Sequence, residues 1–118
     1  VLGYATFSRE PEWFTLAPVG AMEKLAKQLM MPLERFDLFE INEAFAVVPM
    51  AAMKCLNIPH EKVNVFGGAV ALGHPIGCSG ARVLGTLLNA MQKRGGSLGM
   101  ASLCIGGGEA VAMAVERC

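Results

Sequence analysis

Charge is scarce in this sequence: Asp, Glu, Lys and Arg make up 17% of its 118 residues, where a soluble domain ordinarily carries about 25%. Ten acidic and ten basic side chains cancel to a formal net charge of zero, so there is no electrostatic footprint for nucleic acid or for an acidic membrane surface. Long apolar runs are missing too. None approaches eighteen residues, which excludes a membrane-spanning helix, and the chain does not open with a basic stretch, an apolar core and a cleavage pattern. It reads as soluble and untargeted. Cysteine and histidine are too few and too scattered for a metal site: Cys55, Cys78, Cys104 and Cys118 contain no Cys-x-x-Cys pair, and only His60 and His74 could join them. Neither zinc nor a disulfide framework is expected, and a reducing, cytoplasmic setting fits.

What the chain has in surplus is apolar surface and glycine. Hydrophobic residues make up 53% of it, more than one small domain can hide, which calls for a partner. The length suits one domain spanning residues 1–118. Fourteen glycines cluster mainly in two loops, as expected where backbone must approach a ligand closely and not where a chain is disordered. The first residue is Val1 and the opening reads as mid-strand, so an upstream segment is expected to have been removed.

Taken in order, Val1 to Phe7 reads as a strand entering a buried sheet, and Ser8 to Pro18 as a loop. Pro18 suits the first turn of a helix, in which Met22, Leu25, Ala26, Leu29 and Met30 recur at helical spacing opposite Glu23, Lys24, Lys27 and Gln28. Asp37 to Ile41 is a second strand, delivering Asn42-Glu43-Ala44-Phe45 at its end. Ala44 to Leu56 is apolar on every side, a helix that must be buried all round and so implies another layer of protein. His60 reads as a plain surface residue in the loop that follows. Val63 to Phe66 is a third strand. Ala81, Leu84, Leu87, Leu88 and Met91 then form the stripe of a helix with Arg82, Asn89, Gln92 and Lys93 opposite, stopping at Gly95-Gly96. Ser97 to Ile105 and Ala110 to Glu116 are strands joined as a hairpin by Gly106-Gly107-Gly108. The order predicts an α/β layer with mostly parallel strands and one antiparallel strand at the end.

Between the third strand and the second amphipathic helix lies the stretch around which the chain is organised, Gly67 to Arg82. Five glycines there surround His74, and Pro75 biases that histidine towards an extended conformation. Asn42, His74 and Cys104 all fall at or just past strand C-termini, the edge where sites form in such sheets. From the residues alone, this trio reads as a cysteine-hydrolase set, with a thiolate activated by imidazole and an amide orienting the ring. Cys104 by itself reads equally as a small hydrophobe ending a strand. The three glycines after it tip the reading, because their N–H groups are free to face a developing oxyanion.

Asn42-Glu43-Ala44-Phe45, Gly73-His74-Pro75 and Cys104-Ile105-Gly106-Gly107-Gly108 resemble the three C-terminal signature blocks of the thiolases, in the family's order and at similar spacing. The resemblance covers essentially the whole chain. It implies a βαβαβαββ half with helices on both faces of its sheet, stacked in the family on a similar N-terminal half that carries the nucleophilic cysteine; that half is expected as a partner, in a homo-oligomer. The implied activity is reversible Claisen condensation of acyl-CoA to 3-ketoacyl-CoA and CoA, with coenzyme A thioesters as substrates and no cofactor, and none from this chain alone. Carried over by motif, Cys104 is the base towards the α-carbon, His74 activates the nucleophile and donates to the thioester oxygen, Asn42 holds a water of that first oxyanion hole, and the Gly106 N–H donates in a second. Glu43 is expected to position its neighbours, and Phe45 and Ile76 to line the acyl pocket or pack the core. Cys78 is taken as structural. Two rivals stand: a condensing enzyme of the ketoacyl synthase type, which typically shows two histidines where this chain has His74 and Cys104, and a noncatalytic thiolase-like assembly domain.

Overall fold

A computed structural model describes all residues from 1 to 118. Strand β1 (Gly3–Ser8) leads through a 3₁₀ segment (Pro11–Leu16) into helix α1 (Ala17–Gln28), with a proline in its first turn as expected. Strand β2 (Leu38–Ile41), helix α2 (Val47–Leu56), the short helix α3 (Ala69–Leu72), helix α4 (Ser79–Arg94) and strands β3 (Leu98–Ile105) and β4 (Glu109–Glu116) follow. No helix is long and apolar enough to cross a membrane.

The four strands form one mixed sheet in the order β1-β4-β3-β2. β2 pairs with β3 in parallel, while β4 is antiparallel to both β1 and β3. Three strands therefore run one way, as the sequence order implies. The reversed strand lies inside the sheet and not at its rim, so only one of the three pairings is parallel. The ends of β1, β2 and β3 reach the same edge, because Ser8 and Ile105 both face Glu109, the first residue of β4.

Side chains alternate between the two faces of the sheet. On one face Phe39 and Ile41 of β2, Met100 and Cys104 of β3 and three alanines of β4 pack against Met22 and Leu25 of α1 and Val48 and Ala52 of α2. On the other, Leu38, Ala101 and Val115 meet Val83, Leu87 and Met91 of α4. Gly99 lets α4 pack closely on that second face: a Cβ there would lie 2.5 Å from the Met91 sulfur, so the Met91 and Leu87 side chains would have to shift.

Three sequence expectations change in detail. The segment Val63–Phe66 is not a full strand; its one bridge to the sheet is parallel, from Val63 to Phe39, and Val65 bridges only to Gly67 beside it. Asn64, with φ of 48°, replaces the missing rung with its side chain, accepting from the Ile41 N–H and donating to the Ile41 carbonyl, both at 2.8 Å. The helix predicted from Ala44 begins at Val47. One side of it, Val48 and Ala52, is fully buried on its own sheet, while Phe45, Val47 and Met50 are 60%, 51% and 60% exposed. The stripe of α4 is also rotated. Its buried residues are Ser79, Val83, Leu87, Ala90 and Met91, and this turns Arg82 inward from the solvent face assigned to it.

Candidate active site

The sheet edge where β2 and β3 end carries the predicted trio. Asn42 follows β2 directly and is 1% exposed; its N–H donates to the Ser102 carbonyl at 2.9 Å, extending the β2–β3 ladder by one rung. The amide is thereby fixed at the root of the site. His74 stands on the exposed loop between α3 and α4, flanked by Gly73 (φ 92°) and Gly77 (φ 80°), whose left-handed backbone favours glycine at both places. Its Nδ1 lies 2.5 Å from Ser79 Oγ, which also donates to the Pro75 carbonyl at 3.2 Å. The Asn42 Nδ2 sits 3.4 Å from His74 Nδ1 and 3.3 Å from Nε2. With the serine hydroxyl hydrogen on Pro75, the assignment that satisfies every group has Nδ1–H donating to Ser79 and Nε2 free to accept.

Cys104 sits near the end of β3, 9% exposed, on the sheet face covered by α1 and α2. Burial pushes its thiol pKa up, against a smaller lowering by its own backbone. Next to it, Gly106-Gly107-Gly108 turns the chain into β4, with φ of 89° at Gly107 and 91° at Gly108. His74, Ile76, Ser79, Cys104 and Gly106 line a single cleft of about 470 Å³. His74 and Cys104, remote in sequence, thus share one opening with Gly106.

Glu43 does not line this cleft. Its Oε1 accepts from Asn64 Nδ2 at 3.1 Å and its Oε2 from the Val70 N–H at 2.9 Å; it presses against Gly68, where a Cβ would lie 2.6 Å from the Glu43 carboxyl carbon. It thus ties the strand end to the glycine-rich segment. Phe45 points away from the cleft and meets Phe14 edge to face, with ring centroids 5.9 Å apart. Ile76 lies fully exposed at the cleft. His60 and Cys78 are exposed. No group of three or more His, Cys, Asp or Glu is placed to hold a metal ion.

Besides Ser79 on the imidazole, two residues join the site that the sequence reading passed over. Arg82 Nη2 donates to Asn42 Oδ1 at 2.9 Å, and its Nη1 lies 3.8 Å from Glu40 Oε2, with the two side chains 18% and 2% exposed. Burial raises the Glu40 carboxyl to about 7 against the pull of Arg82, with Glu43 adding to the rise. The signal for both was the i, i+4 row Ser79, Val83, Leu87, which places Arg82 one turn above Ser79 on the sheet side, facing the alternate β2 residues Glu40 and Asn42.

Comparison with known proteins places the chain in a family. Residues 1–117 match the family model described as the thiolase C-terminal domain. The chain is 48% identical over 117 residues to acetyl-CoA acetyltransferase IA of Candida tropicalis, covering 99% of this chain and 29% of that protein. It is 52% identical over 117 residues to an acetyl-CoA acetyltransferase of Chromobacterium violaceum, covering 99% and 30%. The crystal structure of Acat5 thiolase from Ascaris suum in complex with coenzyme A superposes with a TM-score of 0.94 at 47% identity, covering all of this chain and 30% of that one. The chain thus spans roughly three-tenths of the length of the relatives it matches, and within that span it belongs to the thiolase family as a C-terminal domain.

Proposed function

We propose that this chain supplies the acid–base half of a thiolase and acts together with an N-terminal half carrying a nucleophilic cysteine, to run the reversible Claisen condensation of two acyl-CoA molecules to a 3-ketoacyl-CoA and CoA. Acetyl-CoA is the proposed substrate, in keeping with the names of the relatives and with the coenzyme A bound in a structural neighbour. The observation that carries the reading is the shared cleft of His74, Cys104 and Gly106, with Asn42 against the imidazole.

In the first half-reaction, His74 Nε2 takes the proton of the upstream thiol, whose sulfur attacks the thioester carbonyl. The carbon–sulfur bond to CoA breaks, and the departing CoA thiolate takes the proton of Cys104. That step suits a thiol that burial keeps protonated, and it leaves Cys104 as the thiolate needed for base catalysis. In the second, this thiolate removes an α-proton from a second acyl-CoA. The enolate carbon attacks the acyl-enzyme carbonyl, a carbon–carbon bond forms, and the upstream thiolate departs. Both intermediates carry negative oxygen, which is costly away from water unless donors are already aimed at it. The protonated His74 ring and a water held by the Asn42 amide serve the enolate oxygen, and the Gly106 N–H serves the acyl-enzyme oxyanion. The reaction needs no metal or redox cofactor.

The bare outer side of α2, with Phe45, Val47 and Met50 exposed, is the face on which the N-terminal half would lie, and the whole enzyme is read as a cytoplasmic homo-oligomer. The test is made in the full-length enzyme. Cys104→Ala is expected to keep acyl transfer to the upstream cysteine but to lose exchange of the acetyl-CoA α-hydrogens with deuterated water by about 10² to 10⁴-fold, the usual worth of a positioned base. Normal exchange in that variant would show that Cys104 is not the base.

A further inference from the structure

The amide of Asn42 has two ends of nearly equal size, one a donor and one an acceptor, and a half-turn about its last bond exchanges them. Which end faces His74 is decided by what stands behind. Arg82 Nη2 donates to Oδ1 at 2.9 Å, and a guanidinium offers donors only. Reversed, the amide would set NH₂ against N–H in a place where Asn42 is 1% exposed and has little water to turn to. With the oxygen held, Nδ2 is presented to the imidazole. Arg82 is held in turn by Glu40, which lies two residues before Asn42 on the same strand and face. This pair is poorly suited to stabilising the fold: Glu40 Oε1 and Arg82 Nε and Nη1 have no hydrogen-bond partner in the chain, so the two side chains meet only as a 3.8 Å ion pair, and a buried ion pair with unmet donors and acceptors seldom offsets its own desolvation. Its geometry makes sense as a support for the amide.

We propose that Arg82, backed by Glu40, is a positioning residue for the reaction, locking the Asn42 amide so that its N–H donors face the His74 side of the cleft. The inference rests on the thiolase reading. Arg82 touches no substrate in this scheme and acts only through Asn42.

The experiment is a two-background comparison in the full-length enzyme. Arg82→Gln is expected to lower kcat for acetoacetyl-CoA cleavage about 10- to 100-fold, the range for outer partners that orient an inner group, with KM changed less than about twofold. In an Asn42→Ala background, where no amide remains to be oriented, the same substitution is expected to cost less than about twofold in kcat, the non-additivity that marks action through a shared group. An equal loss in both backgrounds would mean that Arg82 acts on the fold at large, and an unchanged kcat would mean that it does nothing for the reaction; either overturns the proposal. If Arg82→Gln does not fold, Arg82→Lys keeps the charge opposite Glu40 and carries the same comparison. A parent enzyme with no thiolase turnover would sink the thiolase reading and this inference with it, which sets that failure apart from a failure of Arg82 alone.

Discussion

Cys104 and His74 face one cleft but are held there by different means. Cys104 belongs to a strand paired by β2 as far as Ser102 and by β4 along its whole length, with Cys104 opposite Ala110, and its position is set by the backbone ladder with β4. His74 stands on a segment exposed from Val70 to Cys78, tied down by side chains from elsewhere: Glu43 on the Val70 N–H, with Asn42 and Ser79 on the ring. The sheet fixes the thiol, and a small set of polar contacts fixes the imidazole. Substitutions at a distance should therefore reach His74 and leave Cys104 in place.

The largest test of that contrast is His74→Ala in the full-length enzyme. One imidazole serves both nucleophile activation and enolate stabilisation, so acyl transfer and α-hydrogen exchange should each fall, by about 10² to 10³-fold if the loss is that of one oxyanion donor. The melting temperature should hardly move, since the ring is exposed. A defect confined to one half-reaction would contradict the dual role.

Next in size is the pH dependence of stability carried by Glu40. Its carboxyl rises from 4.5 to about 7 on folding, so the folded chain holds that proton more tightly than the unfolded one. The resulting stabilisation is complete below about pH 4.5 and is lost as pH rises through about 7, on the order of 3 kcal/mol. Urea unfolding at pH 5 and pH 8 should show the loss in the parent and a much smaller one in Glu40→Gln. An identical difference in both would show that Glu40 titrates normally. The smallest effect is local: Glu43→Ala removes the acceptors of the Val70 N–H and the Asn64 amide, worth about 1 to 3 kcal/mol. Hydrogen exchange at Val70 should quicken by about tenfold or more while the amides of Met100 and Ser102 in β3 keep their rates. Equal acceleration in both places would erase the contrast.

The sequence made the strand-held arm of the site easy to read. A long, nearly continuous apolar run from Ser97 to Ile105 and a glycine triplet announce a strand and its turn, and the structure places Cys104 near the end of that strand and Gly106 in the turn. The side-chain-held arm was legible only in its motifs. The third strand shrank to one bridge because Asn64 turns to positive φ and lends its amide in place of backbone, a substitution that no periodicity records. Arg82 lies opposite a stripe of Ala81, Leu84, Leu87, Leu88 and Met91, but only Leu87 and Met91 of that stripe are buried, together with Ser79, Val83 and Ala90, and Leu88 is 46% exposed. A charged residue on a buried row contradicts the ordinary amphipathic pattern, and that contradiction marked its tie to Asn42.

The glycine triplet after Cys104 is three different cases under one letter. At Gly108 a Cβ would lie 2.3 Å from the Arg9 carbonyl oxygen, and its φ is 91°; at Gly107 the space is open but φ is 89°. Gly106 has neither constraint, since nothing lies within 4 Å of where its Cβ would be and its φ is not positive. The architecture of this chain would accept alanine there. The fold of this chain thus demands glycine at Gly107 and Gly108 but makes no such demand at Gly106. Neighbouring identical letters differ in what a methyl group would cost: at Gly108 it would collide with the backbone of Arg9 to Pro11, and at Gly106 it would touch no other part of the chain.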